Sequence, residues 1–243
     1  MQPASQSAAI SAELRDEILR GQYRQGERLP SERDLAERFG VHRGAVREAL
    51  KRLEQLGLVT VRPGGARVAP LEDASLDIVE HLLGLEEPPD PAIVDQVLEV
   101  MSGQFSLAAR LAAERATDEQ RVGIRELLQH LATDASAVED RVRLIHELGD
   151  LFVEASENFV LRLVRRGLKT QFMDRLDRPD IQATVARSLR PAHFRKVARA
   201  IDRRDGSAAS EAVYELTVAL RRHALETITA MRERRDTAVG GAT

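Results

Sequence analysis

The chain has 243 residues, 43% of them hydrophobic and 31% charged, with a formal net charge of −3, which is enough for one small and one medium packed domain. It has no Cys, which excludes disulfides, a thiolate nucleophile and thiolate metal ligation. No apolar run approaches eighteen residues and no secretory signal opens the chain, so export and membrane insertion are not expected and the cytoplasm is the expected compartment.

The charge is unevenly spread. Residues 1–70 hold 12 Arg and Lys against 9 Asp and Glu, or +3, and the remainder holds 24 against 30, or −6. The basic part is therefore the N-terminal one, where a polyanionic partner would dock.

In chain order, residues 1–9 read as a polar tail and Ile10 to Gly21 as a core helix with Ile10, Leu14 and Ile18 four apart. Tyr23 to Arg28 reads as a turn. At Leu29-Pro30-Ser31 a second helix opens, with Ser31 as its cap and Glu32 and Asp34 in its positive first turn. Leu35, Ala36 and Phe39 give it one apolar face, and Gly40 supplies the left-handed stop. A third helix, His42 to Gln55, buries Val46, Ala49, Leu50 and Leu53 and turns Arg43, Arg47 and Lys51 outward. Gly57 ends it. Leu58 to Val61, a turn at Arg62 to Gly65 and Ala66 to Val68 then predict a short hairpin. Helix, tight turn, helix and hairpin make a winged helix-turn-helix, in which the second motif helix enters the DNA major groove.

Residues 10–69, and above all LPSERDLAERFGVHRGAVREALKRLEQLGLV, resemble the DNA-binding domain of the GntR family of bacterial transcriptional regulators. The resemblance implies DNA contacts at Arg33, His42, Arg43, Gly44, Ala45 and Arg47, and at the wing tip, Gly64 and Gly65. The family's Gly-x-Gly wing stands here as Pro63-Gly64-Gly65-Ala66, one residue shorter.

Past the polar linker at residues 69–73 every periodic segment is helical, which predicts an all-α bundle over residues 75–236 and a mainly α chain overall. Helices are expected at about 76–83, 91–115, 117–131, 137–156, 158–176, 181–189, 192–204 and 207–234, with the last eight residues frayed. AARLAAERAT at 108–117, ASEN at 155–158 and ARAIDRRDGSAA at 198–209 resemble the FCD domain, the effector-sensing and dimerising domain of one GntR branch.

Most FCD domains hold a divalent metal with one Asp and three His. Aligned on those signatures, the four ligand positions fall on Ile145, Gly149, Phe194 and Leu216, and the pocket's Arg and Glu fall near Met101 and on Phe105. No metal and no cofactor are therefore expected, unless a displaced site uses His146, Asp150, His193 or His223. With Phe152 and Leu220 these positions describe an apolar pocket. Lost metal ligands and an apolar lining resemble the FadR type of the family, which implies a long-chain fatty acyl-CoA effector. A plain ligand-free core and a metal-dependent sensor of a small organic or sugar acid are the alternatives. The resemblance further implies a homodimer on palindromic operator DNA. No nucleophile elbow, phosphate loop or dinucleotide turn is present, so no enzymatic activity is expected.

Overall fold

A computed structural model describes residues 5–133, 138–169 and 189–240, with 172, 181, 183, 184 and 186 between the last two stretches. The chain divides into two compact units, one up to Glu87 and one from Pro88 onward.

The first unit is built on α1 (Gln6–Leu19), α2 (Glu32–Phe39) and α3 (Arg43–Gln55), followed by the antiparallel pair β1 (Val59–Arg62) and β2 (Gly65–Val68). Helix α1 begins four residues earlier than the periodicity predicts, because the Ser5 hydroxyl accepts the Ala8 N–H. Helix α2 has a complete capping box: Ser31 accepts the Asp34 N–H at 3.2 Å and Asp34 accepts the Ser31 N–H at 3.3 Å. Gly40 ends it at φ 64°, as expected.

Leu14, Leu35, Val46, Ala49, Leu53 and Leu58 form the centre of one core, closed by the inner face of the hairpin, Val59, Ala66 and Val68. Ile78 from α4 (Ile78–Gly84) belongs to the same core, and Val79 and Leu82 pack against it. The sequence boundary at residues 69–75 is thus displaced: α4 belongs with the first unit. The physical reason lies in the connection. The Ser75 N–H donates to Leu56 O at 2.9 Å and the Asp73–Ala74 backbone lies directly on Gly57, which turns the chain back onto the core.

Residues 23–28 hold the expected turn, closed by the Glu27 N–H to Arg24 O bond at 2.9 Å, and its exit runs beside β2: Gly26 N–H donates to Val68 O, Val68 N–H to Glu27 O and Leu29 N–H to Ala66 O, each at 2.9–3.0 Å, with an isolated bridge between Arg28 and Arg67.

Among the described residues the second unit contains α5 (Pro91–Arg115), α6 (Asp118–Leu131), α7 (Val138–Ala155), α8 (Phe159–Leu168), α9 (Pro191–Asp202) and α10 (Gly206–Gly240). Asp90 caps α5 through Ala92 N–H at 2.9 Å with Pro91 at the first helical position. Thr117 and Gln120 form a capping box on α6, and Asn158 caps α8. Helix α5 packs against α7 and α10, and α9 against α6 and α10. Ala108, Ala112, Ile124, Leu128, Phe152, Phe194, Ile201 and Leu216 lie in one apolar core. The expected fraying after Arg234 is not observed: α10 continues to Gly240. The helix expected at 181–189 and the end of the one expected at 158–176 lie mostly outside the described residues. No described helix is long and apolar enough to cross a membrane.

Candidate nucleic-acid interface and effector pocket

The 3.6-residue period that sinks Val46, Ala49, Leu50 and Leu53 leaves Arg43, Arg47 and Lys51 exposed on the opposite face of α3. Across the turn, α2 contributes Arg33, also exposed, and Glu32. Glu32 links the two helices: Arg47 Nη2 and Nε donate to its two carboxylate oxygens at 2.9 and 3.2 Å. The Arg47 hydrogen bond holds the Glu32 carboxyl below the usual carboxylate range, with burial opposing it and the charge of nearby Arg43 adding to it. Arg33 contacts Asp34 at 3.5 Å, and Lys51 donates to Glu48 at 2.9 Å. The face is therefore an alternation of cations and carboxylates in which the forked guanidinium best placed for a base edge is held by a neighbour.

His42 is the N-cap of α3, and its Nδ1 accepts the Ala45 N–H at 3.1 Å. A Cβ on Gly44 would stand 3.0 Å from that ring nitrogen, so the small residue keeps the cap closed. The Ala45 methyl is buried in the core, 7% exposed, because it continues the apolar stripe of α3.

In the hairpin, Val59 pairs with Val68, Thr60 with Arg67, Val61 with Ala66 and Arg62 with Gly65. Paired residues share a face, so Thr60, Arg62, Gly65 and Arg67 lie on the outer one. The turn is Pro63-Gly64, and Gly64 (φ 109°) and Gly65 (φ 123°) adopt backbone conformations that side chains rarely take. The bridge from Arg28 to Arg67 brings the Arg28 guanidinium over Gly65, 3.1 Å from where a Cβ would stand. Arg28, Arg62 and Arg67 are thus wing cations that the family pattern did not single out. Period-two alternation through VTVRPGGARV identifies Arg62 and Arg67, while Arg28 depends on strand pairing that no local signal reveals.

In the second unit the residues assigned to the effector pocket converge. Phe152, Phe194 and Leu216 lie in the apolar core with Phe105, Ile145 and Leu220 packed against it, and Met101 is buried nearby on α5. Gly149, onto which the sequence alignment would place a metal ligand, is where the Phe105 ring rests: a Cβ there would overlap the ring. Charged groups border this core. Arg165 from α8 is buried, stacks on the Phe105 ring at 4.7 Å, and donates to Asp150 Oδ1 at 2.9 Å and to the His146 carbonyl at 3.3 Å. Lys169 donates to the other Asp150 oxygen at 2.7 Å. Burial pushes the Asp150 carboxyl up, but Lys169 and Arg165 outweigh it and hold the group below the usual range. Gln104, one residue before Phe105, is 8% exposed and has both amide atoms unpartnered.

Of the residues considered for a displaced metal, Asp150 is engaged by two cations and His223 Nδ1 lies 2.8 Å from the Ala219 carbonyl. Among the described residues no group of three or more His, Asp or Glu is gathered as a metal site. Arg221 is committed to Asp95 and Glu99.

Comparison with known proteins agrees with this architecture. Residues 6–68 match the family model described as bacterial regulatory proteins, gntR family, and residues 106–224 match the FCD domain. The HTH-type transcriptional regulator Mce2R of Mycobacterium tuberculosis is 35% identical over 214 residues, covering 85% of this chain and 86% of the relative. The fatty acid metabolism regulator protein of Klebsiella pneumoniae is 27% identical over 227 residues, 87% of each chain. Among solved structures, Lar, which controls the expression of the Listeria monocytogenes agr system, shares the fold with a TM-score of 0.53 at 16% identity, over 93% of this chain and 99% of the other. The chain therefore belongs to the GntR family, as a DNA-binding transcriptional regulator with a helix-turn-helix unit at its N-terminus and an FCD domain behind it.

Proposed function

We propose that this regulator binds a palindromic operator as a homodimer and is released from it by an apolar-chain effector, a long-chain fatty acyl-CoA, held in the second unit. The DNA contacts assigned to the first unit are Arg33, Arg43 and Arg47 from the motif helices, the backbone around Gly44, and Gly64 and Gly65 with Arg62 and Arg67 on the wing. His42 acts by capping α3, and Ala45 by packing beneath it. The observation that carries the DNA reading is the outward row Arg43, Arg47 and Lys51 on a helix whose opposite face is fully packed.

The effector reading is supported by Phe105, Ile145, Phe152, Phe194, Leu216 and Leu220, apolar side chains of one core, three of which stand at positions that the alignment gives to polar ligands in metal-dependent relatives. The Klebsiella relative named for fatty acid metabolism supports the same class. An effector can act only by binding the DNA-incompetent state more tightly than the competent one.

The test is direct. Selection from a random duplex pool gives the operator, and fluorescence anisotropy then follows its release as palmitoyl-CoA is added. Release at micromolar ligand without added metal supports the proposal. Unchanged DNA affinity at saturating palmitoyl-CoA, or release only after a divalent metal is supplied with a small organic acid, overturns the effector reading.

A further inference from the structure

On the helix face the cations are matched: Arg33, Arg47 and Lys51 each meet a carboxylate within 3.5 Å. The wing is built differently. The bridge between Arg28 and Arg67 sets two arginines directly opposite each other, and Arg62, paired with Gly65, stands diagonally from Arg67 on the same outer face. All three are exposed, and among the described residues none of them forms an ion pair. Like charges placed directly opposite in an antiparallel pair are destabilising, so the stability of the fold does not account for this trio.

The two facing side chains diverge. Arg67 Nη1 donates to the Gly26 carbonyl at 2.9 Å, away from the wing tip. Arg28 runs the other way, its Nε 3.1 Å from where a Cβ on Gly65 would stand. Its guanidinium is therefore held over the part of the wing that has no side chains, Gly64 and Gly65. A tip of two glycines is thin, and here it carries an arginine on its surface. The major groove, about 12 Å wide, admits a helix, whereas the minor groove, about 6 Å wide, admits only so slim an element. Where A·T base pairs narrow that groove further, its negative potential rises and draws in arginine. A guanidinium is more weakly hydrated than an ammonium, so such a site favours Arg over Lys.

We infer that Arg28 is a specificity-determining DNA contact, its guanidinium entering the minor groove at A·T base pairs that flank those read by α3, with Arg62 and Arg67 on the bordering phosphates. The inference deepens the operator reading above and rests on it, since the wing and α3 must lie on the same duplex.

The experiment uses the full chain and the operator selected from a random duplex pool. Hydroxyl-radical footprinting, which reads the minor groove, locates the base pairs under the wing, and these are made A·T, I·C or G·C. Inosine with cytosine keeps the minor-groove face of A·T and changes the major-groove face, whereas G·C places an amino group in the minor groove. Anisotropy compares wild type, Arg28→Ala and Arg28→Lys, with circular dichroism to check folding. Wild type should bind the A·T and I·C duplexes alike and the G·C duplex at least about fivefold more weakly. Arg28→Ala should bind all three within about twofold of one another, and Arg28→Lys should regain affinity without the preference. Wild type that is indifferent to the three flanks, or that treats I·C like G·C, overturns the inference. So does an Arg28→Ala protein that keeps the preference, or an Arg28→Lys protein that restores it in full, which would make Arg28 a bystander or a plain phosphate contact. The two readings fail separately. A pool that enriches no sequence removes the operator reading, whereas an enriched operator that needs Arg43 but whose flanks are not discriminated keeps that reading and removes the role of Arg28.

Discussion

Replacing Gly57 by Ala should destabilise the DNA-reading unit selectively. Gly57 follows the recognition helix at φ 72°, where a side chain costs about 1–2 kcal/mol. An added Cβ would stand 2.5 Å from Asp73 O and 2.8 Å from Ala74 Cα. Both obstacles are backbone, so no rotamer change relieves them. Moving that segment also strains the Ser75 N–H to Leu56 O bond, a further contribution of about 1 kcal/mol. The expected total is roughly 2–4 kcal/mol, which for a unit of this size lowers the midpoint by about 10 °C or more. Differential scanning calorimetry with operator binding reads both consequences. Gly103→Ala is the control: Gly103 is in mid-helix on α5 with nothing within 4 Å, and the change should be neutral or stabilise the second unit by about 0.5–1 kcal/mol. A Gly57→Ala protein with an unshifted first transition and wild-type DNA affinity would refute the reasoning.

Three further outcomes are expected. Glu32→Gln removes the carboxylate that holds Arg47, and should raise operator affinity about two- to fivefold at low salt, with the gain fading as ionic strength rises; equal anisotropy curves at both salt levels would count against it. The Asp150 carboxyl titrates below the ordinary value, so its stabilising contribution is complete above about pH 4 and disappears as pH falls through the lower folded-state value. Urea midpoints for wild type and Asp150→Asn should therefore differ most at pH 6 and converge toward pH 3, whereas a constant difference would contradict the pairing. Gln104→Leu removes an unpartnered buried amide and should stabilise the ligand-free second unit by about 1–2 kcal/mol, measured by urea denaturation; destabilisation would mean the amide is satisfied in solution.

The motif helices were legible because their signals are local: Ser31 with Asp34 at one end, Gly40 at the other, and apolar residues three and four apart. What escaped the sequence reading was decided by remote partners. Residues 26–29 are tied along β2 only because β2 offers its free edge. Helix α4 joins the first unit because the backbone at Asp73 and Ala74 folds over Gly57. The same holds in the effector domain. The alignment identified Gly149 as a missing ligand, and the structure shows a glycine required by the Phe105 ring. Among Arg162, Arg165 and Arg166, only the position of Asp150 and Phe105 determines that Arg165 is the one turned inward.

The main-chain bonds from residues 26–29 to β2 bear on how the wing would meet DNA. A two-stranded hairpin on its own is marginally stable and would have to be ordered by the duplex. Here three main-chain bonds tie β2 to residues 26–29, immediately ahead of the α2 cap. Wing and helix pair therefore form one preassembled body, and little conformational freedom would be lost on docking to a duplex. The amides of Gly26, Leu29 and Val68 should consequently exchange with solvent as slowly in the free protein as in the operator complex.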